Sequence, residues 1–269
     1  MLSLQNICKK SSFDLHNKRC FRISTGNKSL DVHLKGGIPL GKLIELIGNP
    51  GTGKTQMCMK LCLNVQLPRT LGGLDGESLF FDTRRDFNPN RLKELADEFE
   101  RRYSTAGKSK AMNAEQMLRN VHYVQCTSPA HLIAQVRMTN KYLAANPNIK
   151  IIIIDSLSFA LRMIQTVRQR YELLLELYVS MRSMLYQHQD QVTVSPFHCL
   201  LTTVRLFLFI LQWIVTNVFT NYYNRRSKKY CRVPGMGRMH SILVNERIWF
   251  SQNGTYYLGK NEKTRRIIE

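Results

Sequence analysis

At 269 residues the chain is long enough to bury one large α/β core, and 43% hydrophobic with 22% charged residues fits a soluble globular domain. Thirty-nine Lys and Arg against 19 Asp and Glu leave a net charge of +20, which points to a polyanionic partner, most simply nucleic acid, ahead of a basic surface kept for solubility. The seven cysteines are odd in number and include no Cys-x-x-Cys pair. Cys58 and Cys62, four apart on one helix face, read as core packing with reduced thiols and not as a metal site. No signal peptide is expected, since Lys9, Lys10, Lys18 and Arg19 interrupt the N-terminus.

Residues 1–20 read as a short polar arm, and 21–269 as one domain. Residues 42–47, KLIELI between two glycines, predict a buried strand. Residues 53–66 predict a helix with Met57, Leu61 and Val65 at helical spacing. A Gly- and Pro-containing loop fills 67–77, and SLFFD at 78–82 reads as a second strand. Asn88 and Pro89 open an amphipathic helix running to 103. A linker follows at 104–110, then a strand at 121–125 and a helix at 130–145 closed by Pro147. KIIIID at 150–155 is apolar up to its last residue, as a strand buried on both faces of a parallel sheet must be. A long helix covers 168–189. Strands alternating with helices predict an α/β fold with a doubly wound, mostly parallel sheet.

Gly48, Asn49, Pro50, Gly51, Thr52, Gly53, Lys54 and Thr55 match G-x-x-x-x-G-K-[ST] in full, between a strand and a helix. The chemistry asks for these residues. Glycines let backbone N–H groups close around phosphate oxygens, and the helix N-terminus adds partial positive charge. Lys54 is expected on the β- and γ-phosphates, and the Thr55 hydroxyl on Mg²⁺. Asp155, at the tip of a strand expected beside that of the loop, is the second metal-shell candidate; its alternative is a helix N-cap. ATP and Mg²⁺ are the expected ligands.

Beyond this loop, ISTGNKSLD at 23–31, GGIP at 36–39, GKTQMCMK at 53–60, VQLP at 65–68, FFDT at 80–83, Asp155-Ser156, VTN at 215–217 and VPGMG at 233–237 form an ordered series. Over 21–259 it resembles the RecA/RadA-type recombinase family, in particular the eukaryotic recombinase paralogues, and most strongly the C-type paralogue. The resemblance implies a RecA-like P-loop ATPase core acting in homologous-recombination repair of double-strand breaks, including meiotic recombination. Single-stranded DNA and other recombinase paralogues or the main recombinase are the implied partners, the nucleus the implied location, and no membrane. The arm is too short to hold the helical N-terminal domain of full-length recombinases.

The same resemblance assigns roles and exposes departures. Arg91 matches the arginine that stacks on adenine; otherwise it is a solvated helix charge. Arg84 stands where the family has its catalytic glutamate, and a guanidinium cannot activate water as a carboxylate does. Asp86 lies two residues on, offset from that position. The departure therefore argues against hydrolysis and leaves ATP binding as the expectation. Val218 replaces a glutamine that senses the γ-phosphate, which implies weaker coupling to DNA.

A first DNA loop is implied near Arg162, Arg168 and Arg170, and a second from 220 to about 239. The second carries Tyr222, Tyr223, Arg225, Arg226, Lys228, Lys229 and Arg232, cations flanked by aromatic rings, which suit phosphate contact and base stacking. A nuclear-localisation patch or a merely solvated loop are the alternatives.

Three rivals stand beside this reading. One is an ATP-bound scaffold without turnover. Another is a small-molecule kinase, for which no acceptor site is evident. The third is a membrane-tethered ATPase, because 199–219 is apolar apart from Arg205 and long enough to span a bilayer. Residues 194–212 intervene where the family's long helix leads almost directly into its Thr-Asn strand. They read as a short retained in-frame intron, which would leave an apolar piece outside the sheet.

Overall fold

The computed structural model describes residues 22–104, 113–189, 212–224, 229–236, 240, 243–251, 256–258 and 266–268. Its first elements are the strand β1 (Arg22–Ile23), the short helix α1 (Lys28–His33) and β2 (Ile38–Pro39), which pairs antiparallel with β1. Asn27 caps α1 by accepting from the Leu30 amide at 3.1 Å. The chain passes so close to itself here that a Cβ on Gly37, at φ 117°, would lie 2.2 Å from the Ile23 carbonyl oxygen. Only glycine fits that turn.

The main sheet takes β3 (Leu43–Gly48), β4 (Glu77–Asp82), β5 (Val121–Gln125), β6 (Ile149–Asp155), β7 (Gln212–Asn217), β10 (Glu246–Phe250), β11 (Tyr256–Leu258) and β12 (Arg266–Ile268). Its order is β12-β11-β10-β3-β7-β6-β4-β5. From β10 to β5 every pairing is parallel; β11 and β12 add an antiparallel edge. This is the expected doubly wound sheet. One expectation is corrected: β6 is not beside β3, because β7 lies between them. Strand adjacency in a parallel sheet is set by crossovers that local pattern does not encode.

The helices are α2 (Lys54–Asn64), α3 (Pro89–Ser104), α4 (Ala114–Arg119), α5 (Pro129–Ala145), α6 (Leu157–Arg162) and α7 (Val167–Gln189), with a 3₁₀ turn at Arg69–Leu71. Side chains of β6 alternate between two cores. Ile151 and Ile153 join Met57, Cys58, Leu61 and Cys62 of α2 on one face. Ile152 and Ile154 join α5, α6 and α7 on the other. Cys58 and Cys62 thus pack as core residues, and burial pushes the Cys62 thiol up to about 12. On the far side of α2, Met59 and Leu63 meet Leu92, Leu95 and Phe99 of α3.

The second DNA segment, expected as a loop, contains a hairpin. β8 (Phe219–Asn224) pairs antiparallel with β9 (Lys229–Pro234), with Tyr222 opposite Cys231 and Asn221 opposite Arg232. A Phe-Thr-x-Tyr-Tyr run favours strand over loop. Arg225, Arg226 and Lys228 lie outside the described residues. Most of 194–212 also lies outside them, but Gln212 is the first residue of β7, fully buried, and pairs with Ile151. The last third of the apolar stretch 199–219 is accordingly strand, and no described helix is long and apolar enough to cross a membrane.

Candidate nucleotide site

The loop after β3 carries its two left-handed glycines where the sequence needs them. Gly51 has φ 80° and Gly53 φ 90°, and a Cβ on either would meet nothing within 4 Å. Lys54 opens α2 and is buried; its Nζ donates to the carbonyls of Gly48 at 2.9 Å and Asn49 at 2.8 Å. Burial, more than any neighbour, pulls its pKa below the usual lysine value, and the nearby Asp155 charge opposes that.

Asp155 gathers the hydroxyls around it. Thr55 Oγ1 donates to its Oδ2 at 2.6 Å, and Thr216 Oγ1, at the end of the intervening β7, donates to its Oδ1 at 2.5 Å. Burial pushes the Asp155 carboxyl above its ordinary value, against these two hydrogen bonds. A hydroxyl and a carboxylate in direct contact at the start of the loop's helix form a hard-oxygen set that suits Mg²⁺. The residues present therefore fit the expected group. Thr216 was legible only as part of a motif; its role depends on β7 lying next to β6.

The end of β4 is organised by Asp82. Its Oδ1 accepts from the amides of Arg84 at 3.0 Å and Arg85 at 2.8 Å; its Oδ2 accepts from the Phe87 amide and the Tyr123 hydroxyl, each at 3.1 Å. The turn puts Arg85 at φ 62° and leaves Arg84 paired with Asp86, Nε to Oδ2 at 2.8 Å. Asp86 is thus held by Arg84. Arg91, on α3, donates from Nε to Gln56 Oε1 at 3.1 Å and from Nη1 to Glu94 Oε2 at 2.6 Å. It therefore reaches the residue that follows the loop, although it is exposed.

A second polar cluster, missed in the sequence, lies under the loop's strand. Glu45 of β3 is fully buried and accepts from Asn217 Nδ2 at 2.5 Å, from His240 Nε2 at 2.5 Å and from Arg247 Nε. Burial alone would raise its carboxyl; His240, Arg247 and Asn217 outweigh that and bring it down to about 2. The Tyr178 hydroxyl of α7 bonds His240 Nδ1. The available signal was one carboxylate in the otherwise apolar strand LIELIG.

Thr216 and Asn217 thus join the metal-shell candidate to this cluster. The next residue, Val218, accepts from the Gly235 amide at 2.9 Å at the base of the hairpin. Arg162 ends α6 beside that base, its Nη2 3.3 Å from where a Gly235 Cβ would lie. Arg168 and Arg170 do not converge there: Arg168 pairs with Glu172 at 2.9 Å, and Arg170 Nη2 donates to the Ile164 carbonyl at 2.8 Å. Tyr222, Tyr223, Lys229 and Arg232 stand on the hairpin strands.

Comparison with known proteins covers the same ground. "DNA repair protein RAD51 homolog 3" of Cricetulus griseus is 35% identical over 150 residues, 52% of this chain and 41% of that protein. The chain therefore spans about two fifths of the length of that curated relative. The family model described as Rad51 matches residues 16–182, which take in the loop, the Asp82 turn, Asp155 and most of α7. With this match extending over more than half its length, the chain belongs to the Rad51 family.

Proposed function

We propose that this chain is an ATP-binding recombinase paralogue that binds single-stranded DNA and supports homologous-recombination repair of double-strand breaks, including meiotic recombination. Its partners are other recombinase paralogues or the main recombinase, and its place of work is the nucleus. Residues 21–269 act as one RecA-like ATPase domain, preceded by an arm. The single observation that carries the reading is the contact of Thr55 with Asp155 at 2.6 Å beneath a loop of the G-x-x-x-x-G-K-[ST] type. Gly48 to Thr55 would cradle the phosphates, with Lys54 on their oxygens. Thr55 and Asp155 would hold Mg²⁺, which offsets phosphate charge when bound. Arg91, beside Gln56, is the candidate for the base.

A second reading has its own observation. The turn after β4 presents the Arg84 guanidinium, which cannot orient water, where the resemblance places a carboxylate, and Asp86 lies two residues on. This favours a non-hydrolysing, ATP-bound scaffold subunit within a paralogue complex. The test is capture of the protein from cells, with ATP-agarose binding measured on the same preparation. Retention on ATP-agarose together with recombinase paralogues is expected. Failure of the full chain to be retained overturns the nucleotide reading; retention without any recombinase relative overturns the repair reading.

A further inference from the structure

Arg84 follows a strand end that is locked to the metal-shell candidate. Asp82 lies in register with Asp155 across β4 and β6. The Thr83 amide donates to the Asp155 carbonyl at 2.9 Å. The Thr83 hydroxyl donates to the Ser156 carbonyl at 2.8 Å and accepts from the Ser156 amide at 2.9 Å. With the Arg84 amide on Asp82, the backbone at residue 84 has little freedom.

The side chain is differently placed. Its guanidinium stands 5.7 Å from the centroid of the Phe159 ring, a cation–π platform at the start of α6. Its ionic partner among the described residues, Asp86, has a side chain 52% exposed, and that of Arg84 is 35% exposed. A surface pair of this kind is worth little and exchanges readily for a better anion. Through Thr83 its backbone nevertheless starts beside Asp155, the carboxylate that Thr55 meets.

We propose that Arg84 is a phosphate-binding residue that leaves Asp86 to meet the terminal phosphate of a nucleoside triphosphate, so that this chain distinguishes triphosphate from diphosphate. A planar guanidinium can make two parallel bonds to a phosphate, whose greater charge outcompetes the half-exposed carboxylate that it meets at Nε. The substitution of a cation for the family's carboxylate then does more than remove hydrolysis: it adds a grip on the γ-phosphate. This rests on the nucleotide reading above and goes beyond it by naming the selectivity and its residue.

The experiment measures equilibrium binding of Mg-ATP and Mg-ADP to the full chain and to R84A, R84K and D86N. The wild-type chain should prefer ATP. R84A should lose about tenfold or more in ATP affinity, with ADP affinity unchanged. R84K, which keeps the charge but not the fork, should fall between, and D86N should raise ATP affinity by freeing the guanidinium. An ATP-to-ADP ratio in R84K and R84A equal to that of the wild type overturns the proposal and leaves the nucleotide site standing. Loss of ATP affinity in D86N comparable to that in R84A also overturns it, by making the pair structural. If the wild-type chain binds neither nucleotide, both readings fall.

Discussion

Thr55 and Asp155 are one hundred residues apart in sequence, and their side chains meet at 2.6 Å. The contact joins the start of α2 to the end of β6, although β7 lies between β3 and β6 in the sheet. Thr216, from β7 itself, completes the grip on the same carboxylate at 2.5 Å. Metal-shell and phosphate-loop candidates are thereby brought together by sheet order, with no local motif linking them.

Lys54→Ala tests the phosphate assignment. Nζ is the side-chain cation that the loop curves around, so its removal should abolish ATP binding. Because Lys54 and Gly48 are buried, circular dichroism of the variant checks that it stays folded. Filter or calorimetric binding checks this; undiminished ATP affinity in a folded Lys54→Ala protein removes the site.

Turnover should be slow or absent, with or without DNA. The turn after β4 presents the Arg84 guanidinium where the resemblance places a carboxylate, and Asp86 is offset from that position by two residues. Phosphate release by the purified chain is the measurement. A fast, DNA-stimulated rate that survives Asp86→Ala would contradict the chemistry assigned to this turn.

The Glu45 cluster predicts a pH dependence of stability. The folded-state carboxyl lies at about 2, below its ordinary 4.5. A depressed acid stabilises the fold at pH above the ordinary value and loses that contribution as pH falls from about 4.5 toward 2. Urea unfolding of the wild type should show this acid limb. Glu45→Gln should flatten it and cost about 3–5 kcal/mol at neutral pH, because Arg247 is left buried without its carboxylate. A Glu45→Gln protein with the wild-type acid limb would place the titration elsewhere.

What the sequence disclosed was set by how local each feature is. β3, the phosphate loop and α2 follow from one contiguous string, and β6 from an unbroken apolar run, so these were legible to within a residue or two. The intervening position of β7 was not, since it depends on long crossovers. Glu45 was overlooked because its three partners, Asn217, His240 and Arg247, come from residues some 170 to 200 positions away. α6, just ahead of the expected first DNA loop, was not anticipated, since six residues, LSFALR, carry too little periodicity to register. Its cap, Ser156 Oγ accepting from the Phe159 amide at 3.1 Å, was the available sign.

For DNA, removal of Arg225, Arg226, Lys228 and Lys229 together should weaken single-strand binding and flatten its salt dependence, by about 0.7 in log–log slope for each phosphate that is no longer neutralised. The backbone placement of Tyr222, Tyr223 and Lys229 on the hairpin, whose base is tied to Val218, motivates the choice. Fluorescence anisotropy over a salt series reads it. An unchanged slope would move the DNA-binding surface away from this hairpin.

The last prediction concerns 194–212, nineteen residues and so 57 nucleotides, a whole number of codons. Val194-Ser195 can be written GTGAGT, a splice-donor sequence. The closing LFLFILQ at 206–212 can be written as a pyrimidine-rich tract ending in CAG, a splice acceptor, and Phe and Leu codons are what such a tract yields when translated. Excision joins Thr193 to Trp213 and gives QVTWIVTN, a strand of the expected length and pattern. The fold sets the requirement at the junction. Position 212 is the buried first residue of β7, opposite Ile151, and its side chain accepts from the Lys42 amide at 3.3 Å and donates to the Trp213 carbonyl at 2.9 Å. Thr193 would take that place with a β-branched side chain suited to a strand and a hydroxyl able to replace part of this bonding. The strand from Trp213 to Asn217, with both Thr216 and Asn217, is untouched by the excision. We therefore expect most mature transcripts to lack the 57 nucleotides, and the excised protein to unfold at no lower a temperature than the longer one. Transcript sequencing and thermal melts of both forms decide it: full retention in most messages, or a lower melting temperature for the excised form, makes the segment part of the protein.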